Sequence, residues 1–268
     1  KKMMTDLSRY ATVTAQHESD GVSSKYAFIP TMRVVEVLGR EGWAPSAVNE
    51  ARTIKVARRG YQKHMLRFRQ SGAVVQVGGL IPEIVLTNSH DGCSTFQLMA
   101  GIFRLVCSNG LVVADSMFAT HRIKHVGFTE DKVVKALQDV TEATPRVLSR
   151  VRDFQGVQLT EGEREAFVES ALMIRADGDE EKMPAGEYKD RTIRTLLSPR
   201  REDDRAPTLW NTYNVIQEKF LNGARFLVNG GRSSTKSRSV KSVDKTIALN
   251  KALWLLTEKM AELKVGRG

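Results

Sequence analysis

Cysteine is almost missing from this chain of 268 residues: only Cys93 and Cys107 are present, far outside any Cys-x-x-Cys spacing. No paired-thiol motif is available, and a reducing compartment would keep both as small hydrophobic thiols. Long apolar runs are missing too. Nothing approaches the roughly 18 to 20 uninterrupted apolar residues of a membrane span, and the opening Lys1-Lys2-Met3-Met4-Thr5-Asp6 holds no signal-peptide core. The expectation is a cytoplasmic protein that does not engage a membrane. There is also no Walker loop ending in Gly-Lys-Ser/Thr and no Gly-x-Gly-x-x-Gly turn. ATP- or NAD-driven chemistry therefore finds no support, and no cofactor is expected.

What the chain has is positive charge, unevenly spread. Its formal net charge is +10. Residues 1–128 carry 16 basic and 9 acidic side chains (+7), and residues 129–190 carry 9 and 15 (−6). Residues 191–241 carry 11 and 4 (+7), and residues 242–268 carry 5 and 3 (+2). Two cationic stretches around an acidic block suit a polyanionic partner, with an acidic patch left for a basic neighbour.

The period of the apolar residues places these charges on elements. Residues 1–25, rich in Ser, Thr, Asp and Gln, read as a flexible N-terminal arm. Residues 26–128 read as an α+β core. Met32, Val34, Val35, Val37 and Leu38 recur at helical spacing, with Thr31 as a cap and Gly42 as a stop. Alternating runs follow over Ala47–Val56, Tyr61–Gln70, Ile81–Asn88, Ser94–Met99 and Phe103–Ala114. Gly, Asn and Asp punctuate them, so they predict an antiparallel β-meander. Helical spacing returns in the acidic segment 129–190, with Thr129 and Thr160 as caps. Residues 191–268 predict helices over Thr208–Leu221 and Val243–Leu263. Between these two lies a basic, Gly- and Ser-rich stretch expected to be a mobile loop. The fold class expected is α+β, an N-terminal helix and antiparallel sheet followed by a helical half.

Two segments are candidates for phosphate contact. Along Lys63–Arg69, alternation directs His64, Leu66 and Phe68 to one face and Lys63, Met65, Arg67 and Arg69 to the other. With Arg58 and Arg59 the hairpin would offer up to five charges to a nucleic-acid strand. Removing Arg67 and Arg69 should then weaken binding at little cost in stability. The second segment holds Arg232, Lys236, Arg238 and Lys241 without one acid between them. In Ser198–Arg205, by contrast, acids and arginines can pair internally. Catalytic candidates are weaker. Ser89-His90-Asp91 are consecutive and cannot converge as a triad, so they read as a turn at Asp91-Gly92. His121 and His125 could face the same side of a strand, yet no carboxylate or cysteine accompanies them at ligand spacing. Two surface histidines are expected, and no metal.

Lys63–Arg69, Pro82–Gly92, Phe103–Gly110, Ser198–Asp203 and the Trp210–Gly223 helix resemble signature blocks of an uncharacterised family. Its members are encoded by phages, prophages and conjugative plasmids. Separately, Arg33–Ser46, a helix leading through Gly42-Trp43-Ala44 into a β-meander, is similar to the opening of Rad52-type single-strand annealing proteins. That resemblance implies an oligomeric ring or filament whose basic groove grips one DNA strand without ATP, with Arg33 touching the strand. The expected function is a mobile-element protein that binds single-stranded DNA as a homo-oligomer in recombination or annealing, and not an enzyme. Two rival readings stand beside it. One is a regulatory or anti-defence protein that meets a host protein through the acidic segment. The other is a metal-dependent nuclease using His121, His125 and scattered acids such as Glu83, Asp91 and Asp115.

Overall fold

The structure, a computed structural model, describes residues 6–70, 80–104, 111–113, 120–123, 125, 129–223, 225–228, 233–236, 239–240 and 242–266. The chain divides into two compact units, residues 1–106 with 110–146, and residues 107–109 with 147–268.

The first unit is built on an antiparallel sheet. A short helix α1 (Ala11–Thr14) precedes α2 (Thr31–Arg40), which buries Val34, Val37 and Leu38 and exposes Arg33, Glu36 and Arg40. Thr31 does not cap this helix as expected. Pro30 occupies the cap position, and Thr31 is buried in the core. Gly42 then takes φ +82°, a left-handed conformation that costs glycine little, and turns the chain into β1 (Trp43–Glu50). Next come β2 (His64–Gln70), β3 (Leu80–Asn88) and β4 (Phe96–Arg104). These four pair in chain order, β1-β2-β3-β4. Two short strands, β5 (Leu111–Val113) and β6 (Thr120–Ile123), pair with different stretches of the far edge of β4. The register of β1 shifts between Pro45 and Ala47, at the edge strand where a residue without an N–H is tolerated.

The meander is therefore present, with boundaries that matter. β1 begins earlier than expected and stops at Glu50, so residues 51–56 are not strand. β4 runs unbroken through Gly101, because its ladder with β3 continues to Arg104. β3 is buried along both faces except at Pro82. A sheet covered on both sides loses the polar outer face on which the alternation argument depended.

The N-terminal segment is not a loose arm over residues 6–25. Thr12, Val13 and Ser19 are buried, Thr12 Oγ1 donates to Glu50 Oε1 at 2.6 Å, and Ser19 N donates to the His90 carbonyl at 2.8 Å. Its polar composition misled because those polar groups satisfy buried partners instead of water.

The second unit is helical. α3 (Glu130–Gly156), with Pro145 inside it, has residues in both units. It is followed by α4 (Glu161–Arg175), α5 (Glu187–Leu197), α6 (Leu209–Asn222) and α7 (Val243–Val265). Thr160 and Glu163 form a reciprocal capping box at the start of α4, and Thr208 and Ser242 cap α6 and α7. Thr160→Ala should cost about 1 kcal/mol of stability, seen as a lower thermal midpoint by calorimetry. α6 is buried on nearly every side: Trp210 stacks on Tyr213 at 5.4 Å, and Trp254 of α7 meets Tyr213 at 6.3 Å and Phe154 at 5.3 Å. The expected Gly/Ser-rich loop is partly strand, since β8 (Ser233–Lys236) pairs with β7 (Arg225–Val228). Ladder pairing with the Arg-Phe-Leu-Val strand outweighs the low β-propensity of its serines.

Candidate nucleic-acid interface

The β1–β2 connection, residues 51–63, is rich in cations. Arg52, Lys55, Arg58, Arg59 and Lys63 fall in it, and no acid does. Its base is closed by Ala51 N donating to the Lys63 carbonyl at 2.7 Å. Inside, Lys55 N donates to Thr53 Oγ1 at 3.2 Å, and Arg58 N donates to the Lys55 carbonyl at 3.0 Å. Gly60, at φ +85°, reverses the chain and donates its N–H to Gln62 Oε1 at 2.7 Å. The loop is thus internally bonded, which keeps the cations facing outward. Arg58 has a carboxylate partner, Asp91 Oδ2 at 4.0 Å. Arg52, Lys55 and Arg59 are exposed and have no ion-pair partner among the described residues. Beside them Ile54 is 94% exposed and Val56 72%. Lys63 sits half-buried at the loop's base.

The rest of the expected cationic hairpin has a different role. Arg67 and Arg69 do share a face, but their side chains are only 11% and 16% exposed and both grip the buried Glu83. Arg67 Nε meets Glu83 Oε2 and Arg69 Nε meets Glu83 Oε1, each at 2.6 Å. The shared face also buries Met65, Val85, Thr87 and Met99. One carboxylate inside the covered sheet draws both guanidiniums inward, so this face is not an open phosphate track. Arg33 is likewise occupied: its Nη1 binds Glu36 at 2.8 Å and its Nε binds Glu130. Of the second candidate segment, Lys236 lies in β8 opposite Arg225, while Arg232, Arg238 and Lys241 lie outside the described residues.

Behind the loop, at the same end of the sheet, is a buried polar network. The Gln62 carbonyl faces His64 Nδ1 at 3.2 Å, so that nitrogen carries the proton and Nε2 accepts from Thr31 Oγ1 at 2.8 Å. The Thr12 carbonyl faces His90 Nε2 at 2.9 Å, so the proton sits there, and Nδ1 of His90 is left as a buried, unpartnered lone pair. Asn88 Nδ2 bridges the Ile29 carbonyl (3.0 Å) and Thr31 Oγ1 (3.1 Å). Both imidazoles are neutral. Burial pushes His64 down to about 4 and, with help from its neighbour His64, pushes His90 down to about 3. Ser89, His90 and Asp91 form no triad. Ser89 Oγ accepts from Ser94 N at 3.2 Å, and Asp91 Oδ1 accepts from Cys93 N at 3.1 Å in a turn completed by Gly92 at φ +71°.

The nuclease residues do not converge. His121 pairs with Asp139 at 3.5 Å. His125 lies beyond β6 and is buried, not superficial; it stacks on Tyr26 at 4.4 Å and faces the carbonyls of Ala27 and Ser94. Glu83 is clamped, Asp115 lies outside the described residues, and no group of three His, Cys, Asp or Glu side chains suited to a metal occurs among the described residues.

In the second unit, Arg205 meets Glu202 at 3.0 Å and Arg201 meets Asp204 at 3.8 Å, the internal pairing that the mixed charge of Ser198–Arg205 suggested, while Arg201 also binds Glu218 of α6 through two contacts. Sequence reasoning missed Lys219. Its ammonium reaches the carbonyls of Thr195, Leu196 and Ser198 at the end of α5, and burial pushes it down to about 8. Three converging carbonyls can satisfy all three N–H donors, which makes this a structural lock for a helix C-terminus.

Comparison with known proteins places these features in a family. No helix among the described residues is long and apolar enough to cross a membrane, and no solved structure matches the chain. The chain is similar to the UPF0380 protein YafZ of Escherichia coli (strain K12), 35% identical over 251 residues that span 93% of this chain and 87% of that protein. It is similar to the UPF0380 protein YfjQ of the same strain, 34% identical over 249 residues with the same shares. Residues 19–254 match the model for the domain of unknown function DUF932. With nearly all of the sheet and helical units inside that match, the chain belongs to the DUF932 family.

Proposed function

We propose that this is a mobile-element DNA-binding protein that grips single-stranded DNA through its β1–β2 connection and acts in recombination or annealing without ATP. One observation carries the reading: Arg52, Lys55 and Arg59 stand exposed on an internally bonded loop that contains no acid. Three outward cations on a stiff loop suit the phosphates of a flexible strand, because little loop ordering remains to be done on binding. The step from α2 through Gly42-Trp43 into an antiparallel sheet, which suggested annealing proteins, supports the same direction. A homo-oligomeric ring or filament belongs to this proposal.

The test is fluorescence anisotropy of a 30-nucleotide single strand across a salt series. Log affinity should fall linearly with log salt. The triple variant R52A/K55A/R59A should bind roughly ten to a hundred times more weakly, with a slope shallower by about two, given about 0.7 per phosphate on single strands. Its melting temperature should stay near the wild type, since the three side chains are exposed. A folded triple variant with an unchanged slope would place the binding surface elsewhere. Size-exclusion chromatography with and without the same oligonucleotide tests the assembly.

A further inference from the structure

We infer that Ile54, with Val56 beside it, is an apolar wedge that enters the base stack of the strand held by the neighbouring cations. The inference rests on the single-strand reading above and names which part of the ligand the loop reads. Exposed apolar side chains are unremarkable when scattered, but an isoleucine that is 94% exposed, two residues from a valine that is 72% exposed, is a concentrated cost. Elsewhere among the described residues the large exposed hydrophobics are Leu255, Leu263 and Val265, all in the last half of α7.

The immediate surroundings select the occupant. Arg52 precedes Ile54 by two residues, Lys55 separates it from Val56, and Arg58 and Arg59 follow. A surface complementary to that order has negative charge interleaved with flat apolar faces, and a nucleic-acid strand supplies both as phosphates and bases. A protein partner would have to bury these apolar side chains while matching several cations at once. An anionic lipid surface matches the charge, but the connection's one aromatic side chain, of the kind that anchors segments at headgroup depth, is Tyr61, which is half-buried with its ring 5.5 Å from that of His17.

The loop is also built to hold a wedge steady. Hydrogen bonds from Arg58 N to Lys55 O (3.0 Å), Arg59 N to Val56 O (3.1 Å) and Tyr61 N to Arg58 O (3.1 Å) tie its second half into a tight turn. Ser19 Oγ reaches the Ala57 carbonyl at 3.4 Å from the N-terminal segment. Aliphatic side chains placed between base steps unstack them, and single strands resist this least because no pairing has to be broken. The wedge thus favours single-stranded over double-stranded DNA without reading sequence.

The experiment uses the full chain and a 30-nucleotide strand carrying 2-aminopurine, whose fluorescence rises when it is unstacked. Wild type should bind and raise the signal. I54S/V56S should keep its melting temperature, bind on the order of tenfold more weakly with an unchanged salt slope, and lose the fluorescence rise. Against an abasic strand of the same length, wild type and I54S/V56S should bind equally. Wild-type affinity and signal in a folded I54S/V56S protein overturn the wedge and leave the single-strand reading intact. Absence of any wild-type binding to the oligonucleotide overturns both. Flotation with phosphatidylserine vesicles that is lost in I54S/V56S, alongside undiminished DNA binding, assigns the side chains to a lipid surface instead.

Discussion

Glu83→Ala is expected to destabilise the first unit by about 3 to 5 kcal/mol, the usual cost of removing one member of a buried ion group. Glu83 is fully buried and each of its oxygens is taken by a guanidinium, from Arg67 on one side and Arg69 on the other. Without it, two cations on a largely covered sheet face would repel each other and lose their charged acceptor. In a unit of this size the loss should lower the melting temperature on the order of 10 °C. R67A/R69A should destabilise for the mirror reason, by stranding a buried carboxylate. That is the opposite of what an exposed cationic face would give. A matched set of thermal melts decides the matter. If R67M/R69M/E83L recovers most of the stability lost in Glu83→Ala, the three charges act as one unit whose pairing matters more than its presence. If Glu83→Ala melts like the wild type, the clamp contributes nothing and the arginines are available for another role. DNA affinity per folded molecule should be unchanged in R67A/R69A.

The second large effect is acid lability set by the buried histidines. His64 and His90 are held at about 4 and about 3 in the fold, against roughly 6.5 in an unfolded chain. Between about pH 6.5 and those values the unfolded chain binds the extra protons and the folded one does not. Stability is therefore full above about pH 6.5 and falls as the pH is lowered through this window. Each histidine contributes up to about 1.4 kcal/mol per pH unit. Urea unfolding at pH 7, 6, 5 and 4.5 should show the decline, and H64Q/H90Q should flatten it relative to its own value at pH 7. Carboxylates titrate in both proteins, so the difference between the two slopes isolates the histidines. Equal slopes would mean that the two rings are protonated in the fold, contrary to their carbonyl-directed tautomers.

How far these features could be read in advance depended on the kind of signal. Helical spacing located α2, α4, α6 and α7, and of the hydroxyl residues read as caps Thr160 is a real one, while Thr31 lies inside its helix, buried. Both signals are local, involving residues a turn apart. Alternation also placed His64 with Leu66 and Phe68 on a packed face, and all three are buried. It could not show that the opposite face is packed as well, because that depends on what covers the sheet. The loop Ala51–Lys63 was concealed by its own apolar residues: Ile54 and Val56 alternate like strand residues, and nothing local shows that the ladder stops at Glu50.

The amino-acid sequence by itself determined the class of fold, the succession of a helix, an antiparallel meander and a helical half, the excess of positive charge and the absence of long apolar runs. These follow from composition and from periods of 2 and 3.6 residues, which are properties of a chain read a few residues at a time. Only the tertiary structure decided which cations face outward. Arg67 and Arg69 were drawn inward to Glu83, and Arg33, though exposed, is paired with Glu36 and Glu130, while Arg52, Lys55 and Arg59 found no carboxylate within reach among the described residues. The availability of a charge is set by partners distant in sequence: Arg69 and Glu83 are fourteen residues apart, and Arg33 and Glu130 ninety-seven. Pairing at such separations is a product of folding and leaves no local mark in the chain.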